Sequence, residues 1–156
     1  MTVSTDAILC FGIAFDNEDT PPFPWDTDEF ENDLEDWWRE SVLGFRHSKP
    51  IYTPEGGYVQ GPTPSKEEIQ AYYDEIRAFD AEHPKPPVKV VRHCHHENVM
   101  YILAVPSTFV EAERGHPQEI VGLNVTQDEI VALGAFCADH GIEGEAPRWW
   151  LASYWG

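Results

Sequence analysis

Residues 88–105 have the sequence VKVVRHCHHENVMYILAV, and this segment decides how the chain is expected to fold. Two runs rich in β-branched residues, 88–95 and 99–105, flank a short polar turn at 96–98. This arrangement is typical of a β-hairpin. Because the second run, VMYILAV, is apolar throughout, we expect it to be a central strand that is buried on both faces.

Three further strands extend this hairpin into a sheet. The sequence AILCFGIAF at 7–15 predicts a buried strand, in which Gly12 marks either a bulge or a close approach of another backbone. Residues 109–113 predict a short strand. The sequence RWWLASYW at 148–155 alternates as a last strand does. We therefore expect about five strands.

Two helices are indicated by capping boxes, in which a Ser or Thr is followed three residues later by Glu. The first runs over 65–83, where Ser65 and Glu68 form the box. The second begins after Thr126, whose box partner is Glu129, and it ends before Gly141. The predicted core faces are Ile69, Tyr72, Tyr73, Ile76 and Phe79 in the first helix, and Ile130, Leu133, Phe136 and Cys137 in the second.

The acidic segment 16–40, DNEDTPPFPWDTDEFENDLEDWWRE, predicts a third helix. Asp26 would be its N-cap, and Gly44 would be the residue that ends it. Its apolar stripe consists of Phe30, Leu34, Trp37 and Trp38. Each large side chain buried in this way contributes roughly 1.5–3 kcal/mol, which exceeds the few tenths that a pair of like charges costs on a helix. A proline- and glycine-rich connector at 45–64 follows, with a turn signal at Glu55-Gly56-Gly57.

These elements predict an α+β fold. We expect a single domain over residues 1–156, with a mostly antiparallel sheet of about five strands packed with three helices.

The chain has 28 acidic and 10 basic residues, so its formal net charge is −18. Such a charge opposes direct binding to nucleic acid or to an anionic membrane, and it favours basic protein surfaces. The three cysteines are an odd number, which indicates reduced thiols in a cytoplasmic protein. Neither a signal peptide nor an apolar run of about 20 residues is evident.

The acidic segment is the first candidate site, because it has eleven acids and one base and so holds a net charge of −10. One interpretation is a solvated face that keeps the protein soluble. The other is a surface that imitates DNA, since carboxylates spaced about 3 Å apart along a helix approach the roughly 3.4 Å charge spacing of one DNA strand. The candidate partner-binding residues are Asp26, Asp28, Glu29, Glu31, Asp33, Glu35, Asp36 and Glu40.

A second candidate lies at the hairpin end, where His93, His95 and Glu97 would point to one side of a regular strand. Two histidines and a carboxylate suit a divalent metal ion. The sequence offers no motif for a further ligand, so the alternative is a polar patch at the end of a hairpin. No spacing of Ser, His and Asp indicates a catalytic triad, and no motif indicates a cofactor.

Four parts of the chain resemble a group of short, acidic, functionally uncharacterised bacteriophage proteins. They are the opening strand with Phe23-Pro24-Trp25, the segment 33–38, the strand with its proline at 100–106, and the ending PRWWLASYWG at 147–156. The resemblance implies a viral protein that is made in the cytoplasm of a bacterial host. It implies no catalytic residue.

The leading functional hypothesis is a non-enzymatic DNA mimic that inhibits a host protein, either one that handles nucleic acid or one of the host's defences. Its carboxylates would pair with lysines and arginines of that protein. A small metal-dependent hydrolase centred on His93, His95 and Glu97 is the enzymatic alternative. The third hypothesis is a structural protein that associates with itself as a homodimer through exposed aromatic side chains.

Overall fold

The structure is a computed structural model that describes residues 5–15, 23–26, 33–46, 64–95 and 97–155. The predicted turn at Glu55-Gly56-Gly57 and the start of the acidic helix at 27–32 lie outside these residues. The chain divides into two compact units, and each is described by itself. The larger unit consists of Met1–Leu34 and Pro86–Gly156, and the smaller unit is Glu35–Lys85.

A five-stranded sheet forms the larger unit. Its strands are β1 (Thr5–Phe15), β2 (Lys89–His95), β3 (Asn98–Ala104), β4 (Val110–Ala112) and β5 (Arg148–Trp155). Their order is β3-β2-β5-β1-β4, and β1 also pairs with β3, so that β1, β5, β2 and β3 form a closed circuit of pairings. All of these pairings are antiparallel except the short contact between β2 and β5. The predicted hairpin is confirmed, with His95 opposite Asn98.

Gly12 allows β1 to change partners. Residues Thr5 to Gly12 of β1 pair with β5, and residues Gly12 to Phe15 pair with β3. A Cβ atom on Gly12 would lie 2.3 Å from the carbonyl oxygen of Leu103 and 2.7 Å from the Cα of Ala104. Only glycine permits this approach, which confirms the prediction of a close backbone contact at this residue.

The core of the sheet contains Ile8, Cys10, Val91, Ile102 and Ala104, all of which are buried. Helix α3 (Gln127–Asp139) adds further buried side chains. Its capping box is formed as predicted, and Gly141 follows it with a φ of +66°. Of its predicted core face, Ile130 is half-buried and the other members are buried: Leu133, Phe136 and Cys137.

The turn Phe23-Pro24-Trp25 is part of this core. The ring of Phe23 meets the rings of Phe15 and Tyr101 edge-on, and it stacks on Trp25 at 4.9 Å. Trp25 is almost fully buried and lies 6.2 Å from the ring of Phe136 in α3. The two aromatic side chains therefore connect the sheet with α3.

The smaller unit contains helix α2 (Lys66–Glu82) and most of the first helix. This first helix, α1 (Leu34–Trp37), continues as a π-helical segment at Trp38–Val42. The capping box of α2 is formed as predicted, and Gly44 ends the first helix with a φ of +74°. The α+β class, with a mostly antiparallel sheet of five strands and three helices among the described residues, is confirmed. The extent of the domain, 1–156, stays a prediction.

Two details of the predicted helices are wrong. We expected Asp33 within the helix of the acidic segment, but it lies outside helical structure and directly precedes the described helix, which runs from Leu34. The carboxylate of Asp26, the predicted N-cap, accepts the Phe23 N–H at 3.2 Å, and the helix start that it would cap lies outside the described residues. In α2 none of the described side chains is buried, and Tyr73 of its predicted core face is exposed.

Candidate functional site

Five of the eight predicted partner-binding acids lie within the described residues. Asp28, Glu29 and Glu31 lie outside the described residues. The other predicted members occupy different settings. Asp26 is exposed in a turn, Asp33 and Glu35 are exposed at the start of α1, and Asp36 and Glu40 are half-buried.

A π-helical segment interrupts α-helical geometry within the acidic segment. The Leu43 N–H donates to the carbonyl of Trp38, five residues earlier, at 3.0 Å. A turn closed in this way contains one residue more than an α-helical turn. Glu40 lies in this segment, whereas Asp33 lies outside the helix. The binding surface that these acids would form stays a prediction, because Asp28, Glu29 and Glu31 lie outside the described residues.

Asp36 forms an ion pair with Arg39, which is the one basic residue of the acidic segment. Arg39 is only 6% exposed, and its guanidinium donates to Asp36 and to both carboxylate oxygens of Asp80, the latter at 2.9 and 3.0 Å. Burial alone would lower the pKa of Arg39, but the hydrogen bonds to Asp80 and Asp36 raise it above its usual value. The charge of Arg39 is therefore permanent, and Asp36 serves the fold of the smaller unit.

Apart from Arg39, the charged side chains of the described residues are accessible. None of the described Asp and Glu side chains is buried, and Arg39 is the only charged residue that is. Burying a carboxylate without a partner is costly, so this distribution is the one expected for a chain with an excess of acids. The negative charge of the described residues therefore faces solvent.

Within the described part of the hairpin, the predicted metal ligands His93, His95 and Glu97 have different surroundings. The ring of His95 lies 4.5 Å from that of Trp155, and its Nδ1 accepts the Glu97 N–H at 3.2 Å. His93 instead lines a cleft, and its Nε2 is shielded from solvent. Cys94, between the two histidines, has a φ of +73°, which departs from regular strand geometry. Among the described residues no three His, Cys, Asp or Glu side chains are arranged to hold a metal ion.

The cleft that His93 lines was not predicted. It has a volume of about 550 Å³ and lies in the larger unit, between the sheet and the loop that follows α3. This volume falls in the range of small-molecule sites. Its floor is apolar, with side chains from β1, β3 and β5, and its polar groups are His93, Glu143, Glu145 and the indole of Trp150.

Gly144 brings the two glutamates to the cleft. A Cβ atom on Gly144 would lie 2.6 Å from the Cγ2 of Ile13 and 3.0 Å from the ring of Phe15. The loop can approach β1 this closely because residue 144 has no side chain. Glu143 and Glu145 consequently flank the contact and border the same cleft.

Trp150 is held in place, and a cation of the chain lies over it. Its indole N–H donates to the carbonyl of Gly12 at 2.9 Å. The guanidinium carbon of Arg148 lies 5.4 Å from the centre of the Trp150 ring, and Nη2 of Arg148 lies 2.7 Å from Glu145. The carboxylate and the aromatic ring together hold a guanidinium group.

The sequence contains one local signal of the cleft, which is the pair Glu143 and Glu145 on either side of a glycine. This signal does not reveal that β1 lies beneath the loop.

Comparisons of the chain with protein-family models, with curated proteins and with solved structures found no match. Among the described residues, no helix combines the length and the apolar character that crossing a membrane requires.

Proposed function

We propose that this protein catalyses no reaction and binds a basic surface of a protein that handles nucleic acid. Its accessible carboxylates take the place of phosphates and pair with lysines and arginines of the partner. The observation that carries the proposal is the distribution of charge. The chain has a net charge of −18, and none of the described carboxylates is buried.

The resemblance to acidic bacteriophage proteins suggests in which organism and compartment the protein would act. The protein is made by a phage in the cytoplasm of a bacterial host and inhibits the host protein that it binds, as a DNA mimic directed at nucleic-acid metabolism or defence. Mutual attraction between opposite surface potentials accelerates such an association and makes it sensitive to salt. The proposal does not require a regular helical stripe of charge.

Two exposed acids of the acidic segment, Asp33 and Glu35, and the half-buried Glu40 provide the test. A variant with Asp33→Lys, Glu35→Lys and Glu40→Lys reverses three charges and leaves Asp36 in place for Arg39. A neutral variant, Asp33→Asn, Glu35→Gln and Glu40→Gln, separates loss of charge from the effect of added lysines. The matched control is Glu111→Lys, Glu119→Lys and Asp139→Lys, three exposed acids outside this segment. Circular dichroism and thermal unfolding check that each variant folds.

Each protein is immobilised and exposed to a bacterial lysate, and the captured proteins are eluted with duplex DNA. We expect the wild-type protein to retain a nucleic-acid-binding protein that duplex DNA displaces. The reversed variant loses this capture, the neutral variant weakens it, and the control retains it. If the reversed variant captures the same protein as strongly as the wild type, the acidic segment is not the binding surface and the proposal is overturned.

A further inference from the structure

The cleft beside the loop at 142–147 has the chemistry of a site for an organic cation. Glu143 and Glu145 stand at its border, Trp150 forms part of its wall, and the floor is apolar. Carboxylates pair with cations, and an indole ring attracts them through its negatively charged face. An apolar floor suits the aliphatic stem that connects such a group to a larger molecule.

Glu145 and Trp150 already bind one cation of the chain, the guanidinium group of Arg148. Its guanidinium contacts Glu145 at 2.7 Å and lies over the ring of Trp150. The side chain of Arg148 is 54% exposed, and exposed ion pairs of this kind are weak. A guanidinium from another molecule can therefore compete for the same two groups.

Glu143 adds an acceptor that the chain does not use. Among the described residues it makes no hydrogen bond or ion pair, and it is exposed at the border of the cleft. Glu143 and Glu145 contribute two negative charges at the border of the cleft, and Arg148 offsets one of them, so an excess of negative charge remains. This charge disfavours phosphate or carboxylate ligands and favours cations.

We propose that the cleft receives an arginine side chain of the basic partner protein. This inference rests on the proposed function, because it identifies one specific contact within a surface of opposite charge. Arginine is preferred to lysine because the planar guanidinium can stack on Trp150 and donate to a carboxylate at the same time. The partner's arginine replaces Arg148 over the indole ring or lies beside it against Glu143.

The direct test is an NMR titration of the isotope-labelled protein, in which the indole N–H signal of Trp150 is assigned with the variant Trp150→Phe. The probes are N-acetylarginine amide, N-acetyllysine amide and N-acetylcitrulline amide, the last being an uncharged analogue of arginine. We expect saturable shifts with the arginine probe, with a dissociation constant in the millimolar range. Lysine amide binds several-fold more weakly, and citrulline amide does not bind. Equal binding of citrulline amide, or no saturable shift with arginine amide, overturns the inference.

Variants locate the contact. The double variant Glu143→Gln and Glu145→Gln weakens binding of arginine amide by roughly tenfold, whereas the control Glu111→Gln and Glu119→Gln leaves it unchanged. Arg148→Gln removes the internal competitor and strengthens binding several-fold. Arg114→Gln makes the same change in net charge in the loop that follows β4, and it has a smaller effect. If the two arginine variants are equivalent, Arg148 does not occupy the site.

Capture from the lysate separates the two proposals and tests the source of the arginine. Loss of capture with the Glu143→Gln, Glu145→Gln variant supports a partner arginine in the cleft. If that variant captures the partner as well as the wild type, the inference fails while the proposed function stands. If arginine amide binds the cleft but no DNA-displaced protein is captured by the wild type, the proposed function fails, and the cleft is a site for a free organic cation.

Discussion

Arg39 binds both carboxylate oxygens of Asp80, a residue that lies 41 positions later in the sequence. The contact joins the π-helical segment at Trp38–Val42 to α2 within the smaller unit. Arg39 is buried and Asp80 is half-buried, so this ion pair is less screened by solvent than a pair of exposed side chains.

The first prediction concerns this pair. Asp80→Ala leaves the buried guanidinium with Asp36 as its remaining carboxylate, and we expect a loss of about 1–3 kcal/mol in the free energy of unfolding. Asp74→Ala is the control, since it removes an exposed partner of Arg77 and should cost less than about 1 kcal/mol. Urea denaturation measures both. Equal losses would show that burial of Arg39 does not strengthen its pairing.

The second prediction concerns the crossing of β1 and β3. Gly12→Ala places a Cβ against the backbone of Leu103 and Ala104, which cannot move without breaking the pairing of the two strands. We expect a loss of about 1–3 kcal/mol or more. Gly134→Ala is the matched control, because nothing lies within 4 Å of its Cβ position in α3, and it should stabilise by roughly 0.5–1 kcal/mol. Thermal unfolding of both variants tests the pair, and a stable Gly12→Ala protein contradicts it.

The third prediction is a pH dependence from Glu129. Hydrogen bonds from the hydroxyl of Ser107 and from the N–H and hydroxyl of Thr126 lower the pKa of Glu129. A lowered pKa in the folded protein means that the charged form contributes stability above the unfolded value, about 4.3, and that this contribution is lost as the pH falls through the folded value. Glu129→Gln keeps the capping residue and removes the charge.

We therefore expect the difference in melting temperature between wild type and Glu129→Gln to be largest near neutral pH and to shrink in acid. Asp128→Asn, a neighbouring exposed acid in the same helical turn, controls for the change in net charge. A difference that stays constant from pH 7 to roughly 3 would show that these hydrogen bonds do not favour the ionised carboxylate.

The fourth prediction is a difference in reactivity between the cysteines. Burial raises the pKa of Cys10 to about 11 and also raises that of Cys137. The thiolate is the nucleophile, so both should react slowly with iodoacetamide at neutral pH. Cys94 is half-buried and should be alkylated first. Mass spectrometry of tryptic peptides follows each site, and in urea all three should react at similar rates. Equal rates in the folded protein would contradict the burial of Cys10.

Local sequence signals account for most of the fold. The capping boxes at Ser65 and Thr126 are interactions between residues three positions apart, so their sequence spacing is also their spatial spacing. The hairpin pairs neighbours in the chain in the same way. The strand at 148–155 was predicted with the bounds that the structure has, because alternation is a property of the segment itself.

The acidic segment shows where such signals fail. It was predicted to be one regular helix between Asp26 and Gly44, but Asp33 lies outside helical structure and the segment Trp38–Val42 is π-helical. Asp36 pairs with Arg39 at the i,i+3 spacing of helical neighbours. Asp80 lies 41 positions after Arg39, and no local rule selects it among the acids of α2.

The sequence by itself determined the number and type of most elements, the excess of negative charge, and the glycines at which the chain turns or approaches itself. Only the tertiary structure decided that Glu143, Glu145 and Trp150 border one cleft and that Arg39 is buried against Asp80. The physical reason is the range of the interactions: caps and alternation act over a few residues, whereas a cleft and a buried ion pair exist only where distant parts of the chain pack together.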